Sequence, residues 1–314
     1  MLTLPSEQLI RDERPAYRPW SVEVSEVRDL GPTFRRVRFA APGLAGFGTG
    51  RRDQRVKLLI PDSRGRVCDV GEDDADCLAQ GGWYRRWSAV PAGERNPFRT
   101  YTVRAVRPEL GELDVDFVLH EPAGPAGRWL GTVRPGDRAT IVGPDARSLH
   151  SDVGIDWRPG EARELLLAGD ETAVPAVLAI LESLPAGARA TAFLSVPHAA
   201  DEQPVRSAAE VTTVWLARDR GAASLPEAVA AWADSHRQLL QVTTTPQALE
   251  DVDVDRALLW DSPDRGIGSF YAWFAGEAAV IKELRRLLVR DFGVERRCVA
   301  FMGYWRRGRA EAQE

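Results

Sequence analysis

The sequence contains little lysine and little cysteine. Only two of its 41 basic residues are lysines, Lys57 and Lys282, so arginine carries nearly all of the positive charge. Three cysteines, Cys68, Cys77 and Cys298, are too few for a disulfide framework and lack metal-ligand spacing. The four histidines are not spaced as metal ligands either, so we predict no metal site. This usage excludes a disulfide-stapled secreted domain and predicts a cytoplasmic protein.

Long apolar runs and an excess of positive charge are also absent. No stretch of about 18 apolar residues occurs, so we predict no membrane insertion. Residues 1–19 are polar and carry acids, which is not the pattern of a secretory signal. A formal net charge of −5 argues against a protein that binds nucleic acid, although it allows a local basic pocket.

The chain is long enough for two domains, at roughly 100–200 residues each. Its first half is rich in short, alternating or β-branched segments separated by Gly and Pro turns. Six of them are predicted strands: 20–29, 33–40, 54–60, 98–106, 113–120 and 137–142. Their number and spacing predict a small antiparallel β-barrel over residues 17–147. The insert between Asp62 and Asn96 is predicted to be a surface excursion from the barrel.

The second half alternates strands with helices. Predicted strands lie at 165–168, 190–196, 211–217, 270–275 and 299–304, and predicted helices at 172–183, 226–237 and 277–292. Such alternation predicts a parallel sheet with helices on both faces. The fold class is therefore two-domain β plus α/β, in which the barrel is followed by an α/β domain over residues 161–309.

On the barrel, the segment Arg99-Thr100-Tyr101-Thr102 carries the most chemistry. Strand alternation sends Arg99 and Tyr101 to one face and the two threonines to the other. A guanidinium suits a phosphate, a tyrosine offers a flat face to a conjugated ring, and a threonine hydroxyl can donate to a ring nitrogen. The alternative interpretation is an ordinary strand with an exposed arginine.

A second anion-binding pattern follows about twenty residues later. His120 ends a strand, and the Gly-rich turn over 124–130 then opens a short helix whose free N–H groups can bind an anion. Arg128 adds positive charge at that rim. The alternative is a plain turn with Trp129 packed in the core. Two phosphate-binding elements on one barrel suit a long dinucleotide such as FAD.

In the second domain, residues 168–176 are predicted to form a buried strand, a tight turn and a helix start. This position at the end of a parallel strand favours a nucleotide site in which Thr172 lies near a nicotinamide or flavin edge, the alternative being a capped helix. The turn lacks the Gly-x-Gly-x-x-Gly pattern. Glu277 occupies a similar strand end, or else caps the following helix. Arg218 and Arg220 either bind a ribose 2′-phosphate, which favours NADPH, or stay solvated.

Taken in order, these motifs resemble those of the siderophore-interacting protein family, which are FAD-dependent ferric-siderophore reductases related to the ferredoxin reductases. The resemblance runs from about Tyr17 to Arg309 and includes the segments 134–137, 273–278 and 303–306. The stretch GDETAVPA and the ending GYWR are specific to this family, whereas the barrel motif is shared with the wider superfamily. The sequence departs from the family in the length of the 64–95 insert and in the stretch 239–264.

The resemblance implies roles for individual residues. Arg99 would contact the flavin phosphate or ribityl chain, Tyr101 would stack on the ring, and Thr102 would face the flavin N5 edge. Thr172 and Glu277 would lie on the nicotinamide side, so the catalytic candidates are Thr102, Thr172 and Glu277. The implied cofactor-binding set is Arg99, Thr100, Tyr101, Thr102, His120, Gly124, Ala126, Gly127, Arg128, Trp129, Asp170, Thr172, Ala173 and Trp305.

The resemblance also implies the reaction. Electrons would pass from NAD(P)H, or from a ferredoxin, through FAD to siderophore-bound Fe(III), releasing Fe(II) for iron assimilation. An anionic ferric siderophore needs a cationic pocket, for which Lys57, Arg128, and Arg306 or Arg307 are the candidates. The alternative for each is a solvated or ion-paired surface charge, and for Arg307 we favour that alternative. Two alternatives stay open: a general NAD(P)H:flavin or quinone oxidoreductase, and a siderophore-binding protein without reductase activity.

Overall fold

A computed structural model describes residues 9–48, 50, 52–120, 123–241 and 259–308. Its first half is a closed barrel in which all paired neighbours are antiparallel, in the order β1-β2-β5-β4-β3-β6. The strands are β1 (Tyr17–Asp29), β2 (Phe34–Ala40), β3 (Arg55–Leu59), β4 (Phe98–Arg107), β5 (Glu112–Val118) and β6 (Arg138–Pro144). Closure pairs the edges of the sheet with each other, which removes exposed strand edges.

Alternating residues of these strands fill the barrel interior, as the period of two requires. On β5, for example, Leu113, Val115 and Phe117 are buried in the barrel core. The carboxylates between them, Asp114 and Asp116, are buried on the outer face, where arginines pair with them. The short helix α3 (Pro125–Leu130) contributes further side chains to the same core.

The insert between β3 and β4 packs on the outer wall of the barrel. It contains helices α1 (Ala75–Gln80) and α2 (Trp83–Ala89). The ring of Trp87 is fully buried, with its centroid 4.7 Å from that of Phe98 on β4. The Asn96 side chain donates to the carbonyls of Ile60 and Arg66, each at 2.9 Å, which fastens both ends of the insert to one another.

The second half is a six-stranded sheet in the order β10-β12-β11-β7-β8-β9. Its strands are β7 (Glu164–Gly169), β8 (Arg189–Val196), β9 (Glu210–Ala217), β10 (Trp260–Asp261), β11 (Phe270–Glu277) and β12 (Val299–Trp305). All pair in parallel except β10, which adds an antiparallel edge that the sequence does not predict. The predicted fold class, a barrel followed by an α/β domain, is confirmed.

Helices cover both faces of this sheet. They are α4 (Val174–Ser183), α5 (Leu225–Ser235), α6 (Arg237–Gln241) and α7 (Ala278–Arg285), which continues as a π-helical segment over Arg286–Asp291. Leu165 and Leu167 pack with α4 on one face, whereas Leu166 and Ala168 pack with α5 and α7 on the other. Within the described ranges no helix is both long and apolar enough to cross a bilayer. Residue 309 and most of the stretch 239–264 lie outside the described residues.

Buried polar contacts join the barrel to the α/β domain. On β4, the strand register shifts between Val103 and Ala105, and the side chain of Arg104 between them points away from the barrel interior. Its Nη1 and Nη2 donate to the two carboxylate oxygens of Glu182 on α4 at 2.7 and 2.6 Å. At a second point, Thr33 donates through its backbone N and its hydroxyl to Asp201, at 2.8 and 2.6 Å. Two-point contacts of this kind fix orientation as well as distance.

Candidate cofactor and substrate site

The segment Arg99–Thr102 lies on β4, and its two faces differ as strand alternation predicts. Tyr101 is half-buried against the barrel core, where its ring centroid is 4.4 Å from that of Phe117. Arg99, on the same face, donates through Nη1 to the Phe98 carbonyl at 2.7 Å. Thr102, on the opposite face, is buried. The strand therefore presents a cation and an aromatic ring on one side and hydroxyls on the other.

The outer face of β3 and β4 carries a row of cations next to these hydroxyls. Lys57 pairs with Thr100 across the two strands, and its Nζ lies 3.4 Å from the Thr100 hydroxyl and 4.7 Å from the Phe98 ring centroid. Arg55 pairs with Thr102, and its guanidinium lies 4.4 Å over the Trp260 ring of the second domain. This outer face therefore contacts the insert at Phe98 and the α/β domain at Arg55.

A cavity of about 1300 Å³ lies between the insert and helix α3. Pro97, two residues before Arg99, lines it, as do Pro125 and Trp129 of α3. Its charged lining has an excess of three positive charges, because six arginines face three acids. The arginines are Arg64, Arg66, Arg95, Arg128, Arg134 and Arg138, and the acids are Asp62, Glu94 and Asp137. Both its volume and its charge suit a large anionic ligand.

Helix α3 borders this cavity with its first turn. Gly124 is its N-cap and has no side chain to accept from the free N–H groups that follow. Arg128 is exposed, with its Nη1 3.0 Å from the Ala123 carbonyl. Ala126 packs partly into the barrel core, and His120 is exposed at the end of β5.

The ring of Trp129 occupies the barrel core. It stacks on Phe39 with a centroid distance of 6.5 Å and meets Phe117 edge-on at 5.9 Å. Trp129, a predicted cofactor-binding residue, is therefore packed in the core, as its alternative interpretation has it. It also contributes to the lining of the cavity. Arg128 is the cationic residue of this turn, as the sequence predicts.

At the carboxyl edge of the second sheet, the Asp170 carboxylate links the ends of three strands through hydrogen bonds. Asp170, directly after β7, accepts from the backbone N and the hydroxyl of Thr172 at 2.9 and 2.5 Å. Its other oxygen accepts from Trp305 Nε1 at the end of β12 and from Glu277 N at the end of β11, each at 2.8 Å. Burial raises the pKa of Asp170, while these hydrogen bonds act in the opposite direction.

Two glycines permit this convergence. A Cβ on Gly169 would lie 2.8 Å from the Ala275 carbonyl oxygen, and one on Gly276 would lie 2.6 Å from Asp170 Oδ2. Gly276 also has φ +149, which L side chains rarely adopt. Ala173, which follows in the turn, is fully buried and donates its backbone N to the Asp170 carbonyl at 3.0 Å. This turn is shaped by close backbone approach.

Glu277 and Arg306 lie at the same edge. The Glu277 carboxylate accepts from the backbone N of Ala279 and Val280 at 2.8 and 3.2 Å, so it caps α7. Its other oxygen is 3.3 Å from the backbone N of Arg307. Arg306 follows β12 directly and is half-buried. The structure thus gives Glu277 the capping contacts that the sequence offered as its alternative.

Sequence reasoning missed Asp53, a buried carboxylate at the domain junction. It accepts from the backbone N of Asp156 and Trp157 at 2.9 and 3.1 Å and from Trp273 Nε1 at 3.1 Å. Burial, reinforced by the nearby charge of Asp156, raises the pKa of Asp53 to about 6. Its partners lie more than 100 positions away in the chain, so no local pattern marks it. Among the described residues, no three His, Cys, Asp or Glu side chains gather as a metal site.

Both halves of this arrangement match one family. Residues 23–148 match the siderophore-interacting FAD-binding domain, and residues 162–308 match the siderophore-interacting protein family. The chain belongs to the siderophore-interacting protein family. Its barrel is the family's FAD-binding domain, so the cationic cavity and the β4 segment belong to a flavoprotein.

Individual proteins are similar to this one along most of the chain. A Mycobacterium tuberculosis protein named Rv2895c is 32% identical, over 92% of this chain and 90% of its own. The ferric vibriobactin reductase ViuB of Vibrio cholerae is 26% identical, over 88% of this chain and 85% of its own. The crystal structure of a siderophore utilization protein from T. fusca, 31% identical, superposes with a TM-score of 0.66 over 96% of this chain and 97% of its own.

Proposed function

We propose that this protein is a ferric-siderophore reductase, in which FAD mediates electron transfer from NAD(P)H or a ferredoxin to siderophore-bound Fe(III), releasing Fe(II). The observation that carries the proposal is the combination, on one FAD-binding barrel, of Lys57 beside Thr100 on the outer wall and a cavity whose charged lining has an excess of positive charge. The similarity to ViuB, which is named a ferric vibriobactin reductase, supports the same activity.

The barrel residues have the chemistry to hold FAD. Arg99 and the turn opened by Gly124 would bind its phosphates, with Arg128 adding charge at the cavity rim. Tyr101, already held edge-on by Phe117, would offer its ring to the flavin, and Thr102 would donate its hydroxyl. Bound FAD would supply a carrier that accepts electrons in pairs and releases them singly.

The substrate side needs positive charge more than it needs metal ligands. In this proposal the iron arrives wrapped by its chelator, so the protein binds the negative charge of the complex. Lys57 lies on the outer wall of the barrel, Arg128 is exposed at the cavity rim, and Arg306 follows β12. These three cations would attract an anionic ferric siderophore and hold it near the flavin.

The proposed site for the electron donor lies at the carboxyl edge of the second sheet, around Asp170 and its hydrogen-bond partners Thr172, Glu277 and Trp305. Since Asp170 accepts the Thr172 hydroxyl proton, the Thr172 oxygen is left oriented to accept from a donor group. Glu277 would act by fixing the start of α7 and the end of β11, because both of its oxygens already accept from backbone N–H groups. Trp305 would close this edge, held by Asp170.

The test is anaerobic and uses the purified holoprotein. NADH, NADPH or reduced ferredoxin is added while the visible flavin band is followed; then an anionic ferric catecholate is added in the presence of an Fe(II) trap. We expect the band to bleach with at least one donor and to return as trapped Fe(II) accumulates. A protein that takes up no FAD would support a siderophore-binding role, and one that reduces quinones as fast as ferric chelates would support a general reductase.

A further inference from the structure

An ion pair between Arg218 and Glu171 crosses the carboxyl edge of the parallel sheet. Arg218 follows β9, and Glu171 lies in the turn after β7. Nη1 of the arginine is 3.0 Å from Glu171 Oε2, and Nη2 is 3.1 Å from Oε1. Nη1 also lies 3.3 Å from the hydroxyl of Ser195, on the intervening strand β8. The pair therefore spans three neighbouring strands at the edge where open α/β sheets bind nucleotides.

The two partners differ in burial. The Glu171 side chain is 10% exposed, whereas the Arg218 side chain is 49% exposed. The guanidinium thus faces the solvent from which a ligand arrives, but both of its terminal nitrogens already donate to a carboxylate. Glu171 is held in place in turn, since its neighbours Asp170 and Thr172 form the hydrogen-bonded turn described above.

The other charges near this pair include a second acid. The Asp219 carboxylate is 3.1 Å from the backbone N of Ala199 and 3.4 Å from His198 Nδ1. Arg220 is exposed beyond it. Glu171 and Asp219 therefore offset the positive charge of the two arginines at the place where a phosphate would need it.

We propose that Glu171 makes the donor site selective for NADH over NADPH, an inference that rests on the nucleotide-dependent form of the proposed function. A ribose 2′-phosphate is bound by paired guanidinium N–H groups, and here Glu171 occupies those of Arg218. An incoming phosphate would also meet the Glu171 charge within a few ångströms. The ribose of NADH carries a hydroxyl at that position, which can donate to a carboxylate oxygen.

Glu171→Gln is the variant that tests this selectivity. The amide keeps the size of the side chain but leaves one terminal nitrogen of Arg218 free and removes the negative charge. Because Arg218 is half exposed, water can solvate it, so the variant should fold. Glu164→Gln is the matched control, since Glu164 pairs with Arg189 between β7 and β8 at the opposite, amino edge of the same sheet.

Two measurements are made on each holoprotein. Calorimetric titration compares 5′-AMP with 2′,5′-ADP, which differ only in the 2′-phosphate, and stopped-flow absorbance compares flavin reduction by NADH and NADPH. We expect the wild type and Glu164→Gln to favour the ligands without a 2′-phosphate. Glu171→Gln should shift both ratios toward the 2′-phosphate by roughly 10- to 100-fold, the factor that a charge-assisted hydrogen bond contributes.

Three outcomes would overturn the inference: a wild type that already prefers the 2′-phosphate, equal ratios in wild type and Glu171→Gln, and no nucleotide binding at all. Failure of the proposed function is recognised separately. Protein reduced with dithionite is mixed with a ferric catecholate, and this step needs no nucleotide. Reoxidation of the flavin there keeps the reductase proposal even if the selectivity inference fails.

Discussion

The carboxylate of Asp170 accepts from the indole nitrogen of Trp305 at 2.8 Å, although 135 positions separate the two residues. The same carboxylate accepts from Thr172 and from the backbone N of Glu277. One half-buried acid therefore joins the ends of β7, β11 and β12. The proposed donor edge is thus ordered by the protein's own hydrogen bonds, which is the preorganisation that a binding site needs.

Asp170→Asn should destabilise the protein by about 2–4 kcal/mol. An amide has one accepting oxygen, so its NH₂ group would face two of the four donors that now meet the carboxylate. Urea unfolding, followed by circular dichroism, gives the free energy of unfolding. Asp264→Asn, at an exposed position, is the control. If the two variants were equally stable, the hydrogen bonds that Asp170 accepts would contribute nothing to the stability of the protein.

Much of the barrel could be predicted because its signal is local. On β5, Leu113, Val115 and Phe117 alternate with charged residues, and the structure buries these three in the core. The same alternation indicated the two faces of the segment Arg99–Thr102. The short strand β10 escaped prediction because its two residues, Trp260 and Asp261, give no period to detect.

The candidate site was less predictable, because many of its contacts join residues that are distant in the chain. The sequence places Asp170, Glu277 and Trp305 in family motifs but does not show that one carboxylate binds the other two residues. Asp53 carries no motif, since its three donors come from other parts of the chain. A local pattern indicates which residues are present at a strand end, whereas tertiary packing decides their partners.

The Arg104–Glu182 pair should show strong energetic coupling between the two domains. In a double-mutant cycle with Arg104→Gln and Glu182→Gln, we expect a coupling energy of about 2 kcal/mol, because the pair is bidentate and the arginine is buried. The exposed Arg237–Asp234 pair, with side chains 61% and 58% exposed, is the control and should give less than about 0.5 kcal/mol. Similar coupling in both cycles would contradict a structural role for Arg104.

Asp53 should make folding stability depend on pH between about 4 and 6. Its pKa is raised from 3.8 to about 6 in the folded protein. The folded state therefore binds this proton more tightly than the unfolded state, so the contribution of Asp53 is largest below pH 4 and declines as the pH rises through 6. At low pH this contribution of Asp53 to the free energy of unfolding is about 3 kcal/mol.

The measurement is the difference in unfolding free energy between wild type and Asp53→Asn, taken at several pH values. Asparagine does not titrate, so the difference between the two proteins isolates this group from the other carboxylates. We expect the variant to be less stable at every pH, since it loses an acceptor oxygen. The difference in unfolding free energy between the two proteins should become smaller as the pH rises from 4 to 6. A difference that is constant with pH, as expected for the exposed control Asp264→Asn, would refute the raised pKa.

Lys57→Ala should weaken the use of anionic ferric chelates without releasing FAD. Lys57 Nζ lies on the outer barrel wall beside Thr100 and Phe98, so its removal lowers the local positive potential. We expect KM for a ferric catecholate to rise about tenfold, equivalent to ~1.4 kcal/mol, while KM for a neutral chelate stays the same. The difference should shrink at 1 M salt, where the screening length is about 3 Å. Lys57→Arg should restore KM, and Lys282→Ala, on α7, is the matched control; an unchanged KM with full flavin content would remove Lys57 from the substrate site.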